Sequence, residues 1–136
     1  MDIAEKKQAL IEDFALFEDW EGKYEYLIDL GKNLPLIESS LKTEERLVKG
    51  CQSRVWLHGE MKNGLVEFTA DSDAIITKGI IALLVQVFNG ETPQSIFSTG
   101  TEFIDQIGLK EHLSPTRSNG LVSMIKQMKT FALNNC

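Results

Sequence analysis

One thiol in this chain sits where it could react. The stretch Gly50-Cys51-Gln52-Ser53-Arg54-Val55-Trp56 places Cys51 after a glycine, in a polar turn between two short apolar runs. The thiolate is the nucleophile, and at an ordinary pKa of about 8.5 only about 3% of a cysteine is ionised at pH 7. A neighbouring cation that lowered the pKa by about one unit would raise that share to about 24%. Lys49 and Arg54 flank the turn and could do this; the plainer description of both is ordinary solvated charge. Free cysteines are most often small buried hydrophobes. Against that description stand the preceding glycine, the following Gln-Ser pair and the flanking cations. Gly50 is the natural hinge, because glycine crosses φ space at little cost. The only other cysteine, Cys136, lies in Asn134-Asn135-Cys136 and reads as an exposed terminal thiol.

Other chemistries fit less well. Cys51, His58 and Asp71 or Asp73 could meet as a hydrolase triad. His58, however, lies seven residues along a largely extended path, about 20 Å at ~3.3 Å per residue unless the turn folds back. His112 sits near a loop and is expected to face solvent. Two distant cysteines and two isolated histidines give no metal-ligand spacing. No Walker or dinucleotide fingerprint is present. Asp73 and Arg117 admit two descriptions. One is a helix cap and a surface cation. The other is an interacting pair that holds the cysteine loop or binds a partner.

The elements that must position these residues follow from the period of the apolar residues. Residues 3–18 carry Leu10, Ile11, Phe14 and Phe17 on one helical stripe. A second helix opens near Asp19 or Trp20, carries Tyr24, Leu27, Ile28 and Leu30, and ends around Gly31, before Pro35. Residues 37–46 read as a solvated connection. Arg46-Leu47-Val48 is a short strand candidate, followed by a strand over Arg54–Lys62. That strand places Val55, Leu57 and Met61 on one side and Trp56, His58 and Glu60 on the other. Asn63-Gly64 is a type I′ hairpin signal, and Leu65–Ala70 is the partner strand. Asp71-Ser72-Asp73 supply N-cap types for a helix through Ile75–Val87 that ends at Asn89-Gly90. Short helices over Gln94–Ser98 and Thr101–Ile107, then a loop at 113–118, lead into a last helix over Asn119–Leu133. The pattern predicts one α+β domain over residues 1–136, a three-stranded antiparallel sheet with helices packed on it.

The bulk properties bound the partners. The chain has 136 residues and a net charge of −6, from 20 acidic and 14 basic residues. An acidic chain without a basic stripe is a poor match for nucleic acid or for an anionic membrane. No apolar run is long enough to span a bilayer, and no secretory signal is visible at Met1–Lys7. A cytoplasmic protein with both thiols reduced is the expectation.

Three strings carry a family resemblance. They are Trp20-Glu21-Gly22-Lys23-Tyr24, then Val48-Lys49-Gly50-Cys51-Gln52-Ser53-Arg54-Val55-Trp56, and last His112-Leu113-Ser114-Pro115-Thr116-Arg117-Ser118-Asn119-Gly120-Leu121. Asp71-Ser72-Asp73-Ala74, Lys78-Gly79 and Thr92-Pro93 extend the match over nearly the whole chain. The chain resembles the SufE family of sulfur acceptors in iron–sulfur cluster biogenesis. The resemblance implies a SufE/NifU-like fold and a sulfur carrier that activates a partner rather than a stand-alone enzyme. Cys51 would take sulfane sulfur as a persulfide from a pyridoxal-phosphate cysteine desulfurase, SufS-like or CsdA-like. It would pass the sulfur to a scaffold such as a SufB-containing complex. The protein would hold no cofactor, since the pyridoxal phosphate belongs to the partner. Gly50, Gln52, Arg54, Asp73 and Arg117 would tune the loop and the partner contact. A homodimer stays open, as does an adaptor role with Cys51 passive. A persulfide carrier benefits from shelter, so a loop with two states is expected, with Cys51 tucked inward at rest and its pKa raised there by burial.

Overall fold

In the computed structural model, which describes residues 2–136, changes of apolar period mark changes of element. Helix α1 (Ile3–Ala15) opens on a capping box: the Asp2 carboxylate accepts from the Glu5 amide while the Glu5 side chain accepts from the Asp2 amide. Helix α2 (Trp20–Lys32) is capped by Asp19, which accepts from the Gly22 amide at 2.8 Å. Helix α3 (Ile75–Phe88) is apolar on almost every side because it is the central helix; Ile80, Ile81, Leu83, Leu84, Val87 and Phe88 are all buried. α2 and α3 cross closely. A Cβ on Gly79 would stand 2.3 Å from the Leu27 carbonyl oxygen, and one on Gly31 3.1 Å from the Gly79 amide nitrogen. Helices α4 (Pro93–Ser98), α5 (Glu102–Ile107) and α6 (Pro115–Asn134) complete the helical layer.

Strands β1 (Val55–Lys62) and β2 (Leu65–Ser72) pair antiparallel in the register Val55↔Ser72 to Lys62↔Leu65. Their turn has φ 54° at Asn63 and 79° at Gly64, the two positive values that the hairpin signal demands. Val55, Leu57, Val66, Phe68 and Ala70 face the core. Helix α3 packs against β2, and α6 reaches the same face with Phe131. A Cβ on Gly59 would stand 2.9 Å from the Phe131 ring, and that ring meets Phe68 edge-on at 5.5 Å. One contiguous core joins the helices and the sheet in a single α+β arrangement.

Four expectations are corrected. The sheet has two strands, not three. Leu47 makes only an isolated bridge to Trp56, and the Val48 amide donates to the Val55 carbonyl at 2.8 Å. A 3₁₀ turn at Glu44–Arg46 and the positive φ of 88° at Gly50 leave too little extended chain between them for a ladder. Helix α6 starts at Pro115 rather than Asn119: Ser114 caps it by accepting from the Arg117 amide at 3.3 Å, and proline occupies the first turn, where its missing N–H costs nothing. The Asp71-Ser72-Asp73 run does not supply the N-cap residue of α3; β2 runs through Ser72, and the N-cap residue is Ala74. The connection at 37–46 is not wholly solvated, because Ile37 is buried and its amide donates to the Ala70 carbonyl at 3.1 Å. That bond helps cover the free edge of β2. So does the Asn89 side chain, which accepts from the Phe68 amide and donates to the Phe68 carbonyl. Among the described residues no helix is long and apolar enough to cross a membrane.

Candidate functional site: the cysteine loop

The loop Lys49–Ser53 is tied at both ends and free of regular structure between them. At its start the Val48 amide bonds to the Val55 carbonyl. At its end the Asp73 carboxylate accepts from the Arg54 amide at 3.1 Å, and the Asp73 amide donates to the Arg54 carbonyl at 3.3 Å. The Ser72 hydroxyl donates to the same carbonyl at 2.8 Å. Asp73 therefore holds the loop through backbone. Asp71 works elsewhere, with Lys42 and with Lys78 at 3.3 Å. Burial pushes its pKa up, but Lys42, the Ser72 amide and Lys78 outweigh that and leave the carboxyl below its usual range.

Cys51 is half-buried, packed against the edge of the core. Its Sγ lies 3.7 Å from the Gly120 carbonyl oxygen. A cavity of about 290 Å³ opens beside it. Buried Thr77, Ile80 and Met124 close its inner end, and the exposed Gln52, Thr116 and Arg117 form its mouth. Burial pushes the Cys51 pKa up. Of the two descriptions of Lys49 and Arg54, solvated charge is the one the structure supports: both are exposed, and burial alone sets the direction of the Cys51 shift.

The predicted residues divide accordingly. Gly50, Cys51 and Gln52 share the loop, Arg54 anchors its end, and Arg117 lines the cavity from the first turns of α6. Asp73 and Arg117 do not pair; no ion pair of Arg117 is found among the described residues. No hydrolase triad assembles. His58 accepts at Nδ1 from Arg46 Nε at 3.2 Å, and its Nε2 lies 3.0 Å from the Glu60 carboxylate, on the outer sheet face and outside the cavity. His112 stacks on Trp20 at 3.9 Å between ring centres, and its carbonyl accepts from the Tyr24 hydroxyl. Cys136 is exposed, and its Sγ lies 3.2 Å from the Ala132 carbonyl oxygen. Among the described residues no cluster of His, Cys, Asp or Glu could hold a metal ion. Sequence reasoning missed Thr77, Met124 and Gly120 as cavity residues. The one available signal was a glycine inside a helix, where glycine is a poor choice unless something needs the space.

With this geometry in view, the comparisons agree on a family. The profile described as "SufE: Fe-S metabolism associated domain" matches residues 8–132. This chain belongs to the SufE family. Uncharacterized SufE-like proteins from Rhizobium meliloti and Rhizobium etli are 41% and 40% identical over 90% and 88% of this chain, and the matches cover 91% and 84% of those proteins. The Arabidopsis thaliana SufE-like protein 1, chloroplastic/mitochondrial, is 38% identical over 98% of this chain, which corresponds to 36% of that longer protein. The SufE-family chain also shares its fold with the solution structure of a hypothetical protein from Thermus thermophilus. The TM-score is 0.80 at 21% identity, covering 96% of this chain and 95% of the other.

Proposed function

We propose that this SufE-family protein accepts sulfane sulfur on Cys51 from a pyridoxal-phosphate cysteine desulfurase, carries it as a persulfide and delivers it to an iron–sulfur scaffold. One observation carries the reading: a half-buried thiol on a loop anchored at both ends, with a cavity beside the sulfur. Such a loop can turn the sulfur outward without unfolding its anchors, and the cavity gives an added sulfur atom somewhere to go.

The chemistry needs no external oxidant. The Cys51 thiolate attacks the outer sulfur of the donor's cysteine persulfide. A new S–S bond forms at Cys51, the donor's S–S bond breaks, and its electron pair leaves on the donor cysteine. The proton lost by Cys51 ends on that leaving thiolate or its solvent. Burial at rest disfavours the thiolate, so an outward loop favours reaction. The donor enzyme therefore has to prefer the outward state by a free energy comparable to the tucking energy. Acceptance also clears the donor's cysteine and speeds its turnover. Gly50 provides the hinge, already at φ 88°.

The test is steady-state desulfurase turnover with the wild-type chain and with Cys51→Ser. Wild type should stimulate turnover, and Cys51→Ser should bind with little change in affinity but give no stimulation. Equal stimulation by both would reduce the protein to a docking adaptor with a passive cysteine.

A further inference from the structure

We propose that Gly120 is the parking position of the resting Cys51 sulfur, and that its missing side chain sets how readily the sulfur leaves its cavity. The inference rests on the sulfur-carrier reading for its purpose, but on packing alone for its substance. Gly120 is buried in the body of α6, well past the capped first turn. Glycine is among the poorest helix formers. Its backbone offers no reason for it, since Gly120 is not among the glycines with positive φ. The nearest atoms a side chain there would meet are those of the cysteine. A Cβ on Gly120 would stand 3.1 Å from Cys51 Sγ and 3.7 Å from its Cα and Cβ.

The same helix face continues this contact one turn on. A Cβ on Gly50 would stand 2.7 Å from Ser123 Oγ, and positions 120 and 123 lie on one side of a helix. Gly50-Cys51 thus lies along a track of two small residues. The track selects a protonation state as well as a position. The Gly120 carbonyl oxygen, 3.7 Å from Sγ, can accept from an S–H but repels a thiolate. The parked form is therefore the thiol. A methyl group at 120 tightens the contact beyond what most Cβ atoms tolerate, and one side must yield. Helix α6 is held by its cap and by Phe131 on the sheet, whereas the loop between its anchors has no regular structure. The loop yields, and the sulfur moves outward.

The experiment uses the full chain carrying Cys136→Ser, so that one thiol is read. Gly120→Ala should raise the iodoacetamide alkylation rate of Cys51 about fivefold, as a modest shift in the parked population requires. A second measurement isolates the contact. With Cys51→Ala, the Gly120→Ala change should raise the Tm, because alanine favours helix and no longer meets sulfur. With Cys51 present the gain should shrink or reverse, a non-additivity diagnostic of direct contact. An unchanged or slower alkylation rate overturns the proposal, and so does strict additivity of the two substitutions. Neither readout involves a desulfurase. A chain that parks its thiol here yet never takes up sulfur would refute the carrier reading and leave this contact standing.

Discussion

Two glycines in this molecule do the same thing with opposite consequences. Gly79 lets α3 press against the Leu27 backbone of α2, and Gly120 lets α6 receive the Cys51 sulfur. In the first case both partners are helical backbone in the centre of the core, so the crossing is permanent. In the second one partner is a loop with fixed ends and a free middle, so the contact can be made and broken. Close packing stores stability where both sides are rigid and gives a reversible resting place where one side is not.

That contrast can be broken in four ways. The largest effect belongs to Gly79→Ala. Its methyl would meet backbone 2.3 Å away, and overpacking against a fixed partner costs about 3 kcal/mol. Thermal melting should fall by about 10 °C, with Cys51 reactivity at 25 °C little altered. A Tm within a degree of wild type would show that the crossing is softer than its geometry. Next comes Gly50→Ala, which puts a side chain at φ 88° and against Ser123. A loss of about 1–2 kcal/mol is expected, and it should come with a changed alkylation rate at Cys51, unlike Gly79→Ala. If stability falls and the thiol is unaffected, Gly50 is not the hinge.

A third test uses pH. Burial favours the neutral thiol, so the apparent pKa read from the alkylation rate should lie above the free-cysteine value of about 8.5. Reactivity should climb with pH through that raised value, and addition of a desulfurase lacking its own reactive cysteine should move the inflection to lower pH. An inflection at or below the free-cysteine value without any partner contradicts the parked state. The smallest effect is that of Cys136→Ser. The exposed terminal thiol should contribute within about 0.5 kcal/mol of nothing, and differential scanning calorimetry together with sulfur uptake should match wild type. A marked loss of uptake would move part of the chemistry to the tail.

How far the sequence could be read depended on the range of each interaction. Cys51 stood out because its neighbours within a few residues already describe a turn. The hairpin was legible because Asn63 and Gly64 carry their own conformational preference. Of the two descriptions Asp73 admitted, the helix cap fails and the loop tether stands, but the tether runs to the Arg54 backbone instead of to Arg117, a partner that no local signal names. The start of α6 was hidden because the polar run at 113–118 reads as a loop, whereas Ser114 caps a helix whose first turn begins at Pro115. The third strand failed because a strand is a statement about a partner, and the chain at Leu47-Val48 turns away too soon to keep one. Gly120 was furthest from view. It lies 69 positions from Cys51, and nothing local distinguishes a helix glycine that makes room for sulfur from one that makes room for another helix.

What matters most is whether Cys51 takes and holds a sulfur atom. Peptide mass spectrometry reads this directly, on the chain after brief incubation with a cysteine desulfurase and free cysteine, trapped with an alkylating agent. An added mass of about 32 Da is expected on the peptide containing Cys51, absent from the Cys136 peptide and lost on reduction. An unmodified Cys51 beside an actively turning-over desulfurase would contradict the sulfur-carrier role.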